Sequence, residues 1–414
     1  MPPSAASRYR RRTFFRAFRF APLIFWAGVA SISLSPIGLH SQTLQKKKLP
    51  RPRKLDAGVV WHRDPATGEL IAGASGGVAA GSLNPAQPGA HAIRVATEFV
   101  PVTCSVADAG GGALAGLTRE NFRVYDDGAA QAITYFDAST LPAAVALVID
   151  ASPSVLRESE EMKDAARALV DALSPTDQVA VVDFSAHTYL QLPFSTDWGL
   201  IRQAVARVDA RQLLGDTGGS NIYQSVFLAA RELFAGRTGR KAIVLLSDGQ
   251  DSGLGLTLDP ASASPQPGRP SDRLTFDDVA RALDAADIQV FAVSTEGRPK
   301  IMTADWLAAH SSDTLVTPAA RKWDIPAYTL YLAELVRRSG GQLYFLRETE
   351  TLAETFRQIA RRIRAEYTLG FTPRTNTDMS AASRTGWHSL RVEVVGHGDA
   401  TAEHRAAYYV PAAD

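Results

Sequence analysis

The run Ala144-Val145-Ala146-Leu147-Val148-Ile149 contains no polar side chain and stops at Asp150-Ala151-Ser152-Pro153-Ser154. A strand with one wet face alternates apolar and polar residues, whereas a strand covered on both faces has no need to. The run therefore predicts a central strand that delivers a carboxylate and two hydroxyls at its carboxyl end. Outward from it, Glu160–Leu173 reads as helix, Gln178–Phe184 as strand, and Asp197–Val208 and Ile222–Phe234 as helices. Ala242–Leu246 is a second all-apolar strand. Phe276–Ala286 predicts a helix with Thr275 as N-cap, and Ile288–Val293 a strand. Tyr328–Arg338 is helical and closed by Gly340-Gly341, Gln342–Leu346 is a strand, and Leu352, Phe356, Ile359 and Ile363 mark one more helix face. This alternation predicts an α/β domain over 141–365, a doubly wound and mostly parallel sheet with helices on both faces.

The flanks have a different rhythm. Ile93–Cys104 alternates with period two, Phe122–Tyr125 and Ala132–Phe136 read as strands, and Asp126-Asp127-Gly128 is a turn between them. Strands return at Tyr367–Thr372, Leu390–Val395 and Arg405–Val410. Residues 93–140 and 366–411 are thus expected to build one small β module around the inserted α/β domain. Residues 42–92 are rich in Lys, Pro and Gly and read as a linker with one hairpin around Asp64–Gly68. Leu254–Asp272 reads as a long surface loop.

Charge and composition narrow the function. The chain has 414 residues, 45% hydrophobic and 21% charged, enough to bury a core. Its net charge of +1 is uneven, because twelve of the 44 basic residues precede Leu55 and no acidic residue does. The remainder carries 32 basic against 43 acidic side chains, which argues against nucleic acid as a partner. One cysteine, Cys104, rules out an intramolecular disulfide framework and multi-cysteine metal centres. Six arginines between Arg8 and Arg19 precede the uncharged apolar run Ala21–Leu39, which reads as a secretory leader, or an N-terminal anchor, over 1–41. Arg11-Arg12 also fits a twin-arginine signal, so export by either route to periplasm, envelope or medium is expected. The basic cluster from Lys46 to Lys54 suits contact with membrane lipid or cell-wall polymer, or simple solvation.

In an open α/β sheet, ligands bind beyond the carboxyl ends of the strands. The residues at those positions are Asp150, Ser152 and Ser154 after the first buried strand, and Ser247-Asp248-Gly249 after the second. Between them, Gly218-Gly219-Ser220 opens a helix. An all-oxygen set without His or Cys selects a hard cation, here Mg²⁺, with Mn²⁺ or Ca²⁺ as substitutes. Ser152, Ser154 and Ser220 can ligate directly, while Asp150 and Asp248 hold coordinated water. Asp216, Thr217 and Asp251 are near enough to join a second shell, though turn and capping roles suit them better. A metal with so few charged ligands stays electrophilic toward an outside carboxylate.

These motifs resemble the metal-ion-dependent adhesion site of von Willebrand factor type A domains. Gly116–Gly128 before the domain, and Tyr367–Phe371 with Tyr408–Pro411 after it, are similar to the exported bacterial branch of type A-related proteins named after Acidobacteria. The resemblance covers about Ile93–Pro411. It implies a Rossmann-like fold and Mg²⁺-dependent binding of a partner protein's exposed Asp or Glu, without catalysis. Ser220 stands where the family usually has Thr, which keeps the hydroxyl but loses the methyl that restrains its rotamer. Two alternatives stay open. One is an envelope scaffold with a vestigial site. The other is a metal-dependent phosphohydrolase with Asp150 as nucleophile, for which 150–154 offers neither a second carboxylate nor a Lys or Arg to hold phosphate.

Overall fold

The computed structural model describes residues 48–57, 59–64, 69–74, 99–108, 112–138, 142–208, 219–252, 274–310, 315, 323–345, 352–364, 366–373 and 385–410. The leader or anchor at 1–41, the candidates Asp216 and Thr217, and the loop 254–272 lie outside the described residues. On the N-terminal side come β1 (Arg53–Lys54), β2 (Val59–Arg63), β3 (Leu70–Ala74), β4 (Val100–Ala107), β5 (Phe122–Asp126), β6 (Ala129–Gln131) and β7 (Tyr135–Asp137). The middle runs β8 (Ala144–Asp150), α1 (Ser159–Ala172), β9 (Gln178–Phe184), β10 (Thr188–Ser195), α2 (Trp198–Arg207), α3 (Ile222–Leu228) and β11 (Lys241–Ser247). It continues with α4 (Phe276–Ala286), β12 (Gln289–Ser294), α5 (Ala304–Ala309), α6 (Ala327–Ser339), β13 (Leu343–Phe345) and α7 (Leu352–Arg364). The chain returns through β14 (Glu366–Phe371), β15 (Gly386–Val394), β16 (Thr401–His404) and β17 (Ala407–Val410).

Among the described residues the main sheet has the order β1-β10-β9-β8-β11-β12-β13. Neighbours from β9 to β13 are parallel, and β10 and β1 add antiparallel at one edge. The all-apolar strands are explained by the two helical layers. Val145, Leu147 and Ile149 point into a core with Met162 and Leu169 of α1, Ile201 and Val205 of α2, and Phe356 and Ile359 of α7. Ala144, Ala146 and Val148 point the other way, against Tyr223 and Phe227 of α3, Val279 and Leu283 of α4, and Leu335 of α6. Each fully buried Val, Leu, Ile or Phe contributes about 1.5–3 kcal/mol, so a polar residue on either side of β8 would be felt. This is the doubly wound, mostly parallel architecture expected from the sequence.

Two antiparallel sheets, β16-β4-β14-β7 and β17-β15-β5-β6, each mix strands from before and after the α/β region. They share one core that includes Val102, Cys104, Phe122, Val124, Leu369, Phe371 and Val392. Against the α/β layer they are fixed by polar groups. Asp284 of α4 pairs with the buried guanidinium of Arg405 and accepts from Tyr409 N at 3.0 Å, and Trp387 Nε1 donates to Asp277 Oδ1 at 3.0 Å.

Thr275 caps α4, as its position suggested. Its Oγ1 accepts from Asp278 N at 3.2 Å, while Thr275 N donates back to Asp278 Oδ2 at 2.9 Å. Thr275→Ala should lower stability by about 1 kcal/mol in urea unfolding.

Several local expectations are corrected. Ala132–Phe136 is not one strand: β6 pairs with β5, and the chain then crosses so that β7 pairs with β14 in the other sheet. Arg405 lies in a turn before β17 rather than in the strand, because its side chain is drawn to Asp284. The stretch read as a linker holds the expected hairpin, β2 with β3, but it is packed against the domain. Arg63 donates to both oxygens of Asp278 at 2.8 and 2.7 Å, and Trp61 lies edge-on to Phe227.

Candidate metal centre

Parallel register brings the loop residues together. Ile149 is opposite Leu246, so β8 and β11 end side by side and Asp150 meets Ser247. The carboxylate of Asp150 is 3% exposed and is surrounded by hydroxyls and a backbone amide. Ser247 Oγ donates to its Oδ2 at 2.6 Å and Ser220 Oγ to the same oxygen at 3.3 Å, while Ser152 N donates to Oδ1 at 2.9 Å. Ser152 and Ser154 Oγ are 3.0 Å apart, with Ser152 buried and Ser154 exposed at the mouth. Asp248, also buried, accepts from Gln250 N at 2.9 Å and lies close enough to raise the pKa of Asp150. Thus Asp150, Ser152, Ser154 and Ser220 form one hydrogen-bonded group, and Asp248 adjoins it.

Asp251 stands apart in role. Its Oδ2 accepts from Tyr223 N at 3.2 Å in the first turn of α3, which is capping geometry. Asp183, buried in β9, accepts from Gln191 Nε2 at 2.6 Å and serves the sheet rather than the site. Residues that sequence reasoning did not assign support the cluster from behind. Ser247 holds Asp150 and also accepts from Gly249 N at 3.0 Å. Ser252 N donates to Ser220 O at 2.6 Å, and Ser252 Oγ accepts from Ser220 N at 3.3 Å. Gly219 makes room for that contact, since a Cβ there would sit 2.3 Å from Ser252 Oγ. The Gly-Gly-Ser pattern was the available signal. The identity of the residue filling the space was not.

Burial is the main cause that pushes the Asp150 carboxyl up to about 6, with the nearby charge of Asp248 adding to it and the bonds from Ser152 and Ser247 opposing it. Among the described residues, no Lys, Arg or His forms an ion pair with Asp150 or Asp248. Two buried carboxylates beside three hydroxyls, with no cationic side chain paired to them among the described residues, suit a hard divalent cation as counter-charge. The residues therefore fit a metal: Ser152, Ser154 and Ser220 would ligate it, and Asp150 and Asp248 would hold its waters. A separate group, Asp126, Asp127 and His388, also brings potential ligand atoms within 4.8 Å of one another. Its members are bonded to one another and to neighbours. His388 Nδ1 is 2.8 Å from Asp127, Ser389 N donates to Asp127 at 2.8 Å, and Tyr408 OH donates to Asp126.

No curated protein matches this chain. Among solved structures, an aerotolerance-related membrane protein from Bacteroides fragilis is 17% identical, over 53% of this chain and 98% of its own, with a TM-score of 0.37. Proximal thread matrix protein 1 from the mussel byssus, with a zinc-occupied metal-ion-dependent adhesion motif, is 15% identical over 58% and 50% of the two chains, TM-score 0.37. The von Willebrand factor domain of a type V pilus tip protein from Porphyromonas gingivalis is 14% identical over 55% and 96%, TM-score 0.37. Residues 145–250, which run from β8 to the loop after β11 and include Asp150, Ser152, Ser154, Ser220 and Asp248, match the von Willebrand factor type A domain.

Proposed function

We propose that this chain is an exported, non-enzymatic recognition module of the Acidobacterial type A-related branch. Its metal ion, Mg²⁺ in the first instance, bridges to an Asp or Glu of a partner protein. The observation that carries the reading is the buried Asp150 carboxylate, ringed by Ser152, Ser220 and Ser247 with Asp248 beside it and, among the described residues, no cationic side chain paired to either. A cation there completes the charge balance, and neutral serine ligands leave it able to accept one more anionic oxygen. A phosphohydrolase would need a Lys or Arg to hold phosphate, and the loop 150–154 supplies neither. The mussel protein carries zinc in its motif, so Zn²⁺ belongs in the titration beside Mg²⁺ and Mn²⁺. Export rests on the Arg-rich start and the apolar run 21–39. Among the described residues, no helix is long and apolar enough to cross a membrane. Contact with anionic lipid or wall polymer would fall to the basic segment 46–54, in which Lys48 and Arg51 are exposed and Arg53 pairs with Glu232.

Metal should stabilise the fold by mass action, by about 2.7 kcal/mol at a hundredfold excess over the dissociation constant. Thermal melts in Mg²⁺, Mn²⁺ and EDTA read this directly. Ser220→Thr should keep the gain, and Ser220→Ala should reduce it. Capture of a partner from envelope extract should follow the same order and be lost in EDTA. Melts and capture that both ignore EDTA would leave the scaffold with a vestigial site as the surviving account.

A further inference from the structure

The short strand β1 does more than cover a sheet edge. It pairs with β10 in the register Arg53↔Leu190 and Lys54↔Tyr189, and Leu55, buried in the core, donates its N–H to Thr188 O at 2.9 Å. The next residue, Asp56, reaches back through Oδ2 to Nδ1 of His187 at 2.8 Å. Its side chain is only 10% exposed, and its other oxygen, Oδ1, has no hydrogen-bond partner. A nearly buried carboxylate thus grips the 185–187 turn by a single side-chain contact.

That turn and the end of β9 directly before it hold two of the three metal loops. Phe184 O accepts from Ala151 N at 2.7 Å, between Asp150 and Ser152. Ser185 O accepts from Asn221 N at 3.0 Å, and Ala186 O accepts from Asn221 Nδ2 at 2.7 Å, directly after Ser220. Ser185 N donates to His187 O at 3.1 Å and closes the turn on itself. The path from Asp56 to the site is therefore short: one side-chain bond from strap to turn, then mainly backbone bonds from there to the loops of Ser152 and Ser220.

We propose that Asp56 and His187 are positioning residues of the metal centre, and that the strap Arg53–Asp56 sets the spacing between the Ser152 and Ser220 loops. The proposal rests on the reading of those serines as metal ligands. It makes metal affinity depend on a seated strap, in the segment that joins the basic N-terminal stretch to the domain. Supports of bound ligands commonly change metal affinity by about 10–100-fold, and Asp56 acts one contact further out, at the low end of that range.

The test uses the full chain and Mn²⁺ as probe, with free Mn²⁺ followed by electron paramagnetic resonance. Asp56→Ala should weaken Mn²⁺ binding about tenfold, while Asp56→Asn, which keeps an acceptor for His187, should stay within about twofold of wild type. His187→Ala, made from the more exposed side of the pair, should show the same loss should Asp56→Ala fail to fold. Arg63→Ala, which frees the neighbouring hairpin from Asp278, should lower the melting temperature in EDTA yet leave Mn²⁺ affinity unchanged. That comparison separates positioning from general destabilisation. Wild-type affinity in both Asp56→Ala and His187→Ala overturns this proposal alone. A wild type that binds no Mn²⁺ overturns the metal reading, and this proposal with it.

Discussion

Asp150→Asn should make the metal-free protein more stable at pH 7.5, by up to about 3 kcal/mol, and should abolish stabilisation by metal. The folded protein raises the Asp150 pKa from 3.8 to about 6, chiefly by burial, so the fold prefers the neutral acid. The preference is fully expressed below pH 3.8 and is lost as pH rises through about 6, where the buried group must ionise. One pKa unit corresponds to about 1.4 kcal/mol, which sets the size of the effect. Asn keeps an oxygen to accept from Ser152 N and carries no charge, so it escapes the penalty. Urea unfolding in EDTA should show the variant ahead at pH 7.5 and level with wild type near pH 4. Saturating Mg²⁺ should reverse the order at pH 7.5, because only wild type retains the charge that holds coordinated water. Equal stability at pH 7.5 without metal would mean that Asp150 is already compensated, and the argument for a missing cation would fall.

A second large effect is expected far from the metal. Gly341→Ala should destabilise by about 3 kcal/mol or more, or prevent folding. A Cβ at Gly341 would lie 1.9 Å from Val290 O, a backbone atom of β12 that cannot rotate away. Gly341 N also closes α6 by donating to Val336 O at 2.9 Å, so the backbone cannot retreat without breaking the helix end. Gly128→Ala is the informative comparison. Gly128 has a φ of +81°, which is unfavourable for alanine, but nothing lies within 4 Å, so backbone strain alone of about 1 kcal/mol is expected there. Gly341 has no positive φ and meets only the collision. Chemical denaturation of the two variants separates backbone strain from collision. Similar losses at both positions would contradict the packing of α6 onto β12 described above.

What the sequence made legible follows from which forces leave a local pattern. Ala144–Ile149 and Ala242–Leu246 are buried on both faces, so their strands appear as unbroken apolar runs. The loop residues after them follow from the rule that parallel strands end at one edge. Thr275 and Gly340 signal helix ends through their own backbone chemistry. The role of Ser247 is not legible in the sequence, because its bond to Asp150 depends on the register between β8 and β11, which a linear reading does not contain. Strand β1 was missed because Arg53-Lys54 has no strand pattern; it is held by backbone bonds to an edge. Ala132–Phe136 reads as one strand but is mostly connection: Ala132–Thr134 cross from β6 in one sheet to β7 in the other, where only Tyr135 and Phe136 pair, and Thr134 N–H bonds Gly370 O at 2.8 Å. The capping role of Asp251 was anticipated only as a class of behaviour, since its partner Tyr223 lies on a helix reached through a separate loop.

The central claim is that the hydroxyls of Ser152, Ser154 and Ser220 bind one divalent cation directly. Anomalous diffraction from crystals of the full chain grown with Mn²⁺ tests it most directly. The account predicts one strong peak at ~2.1 Å from each of the three serine Oγ atoms, with Asp150 and Asp248 reaching the ion through water. No peak there at saturating Mn²⁺, or a peak only beside Asp126, Asp127 and His388, would contradict it.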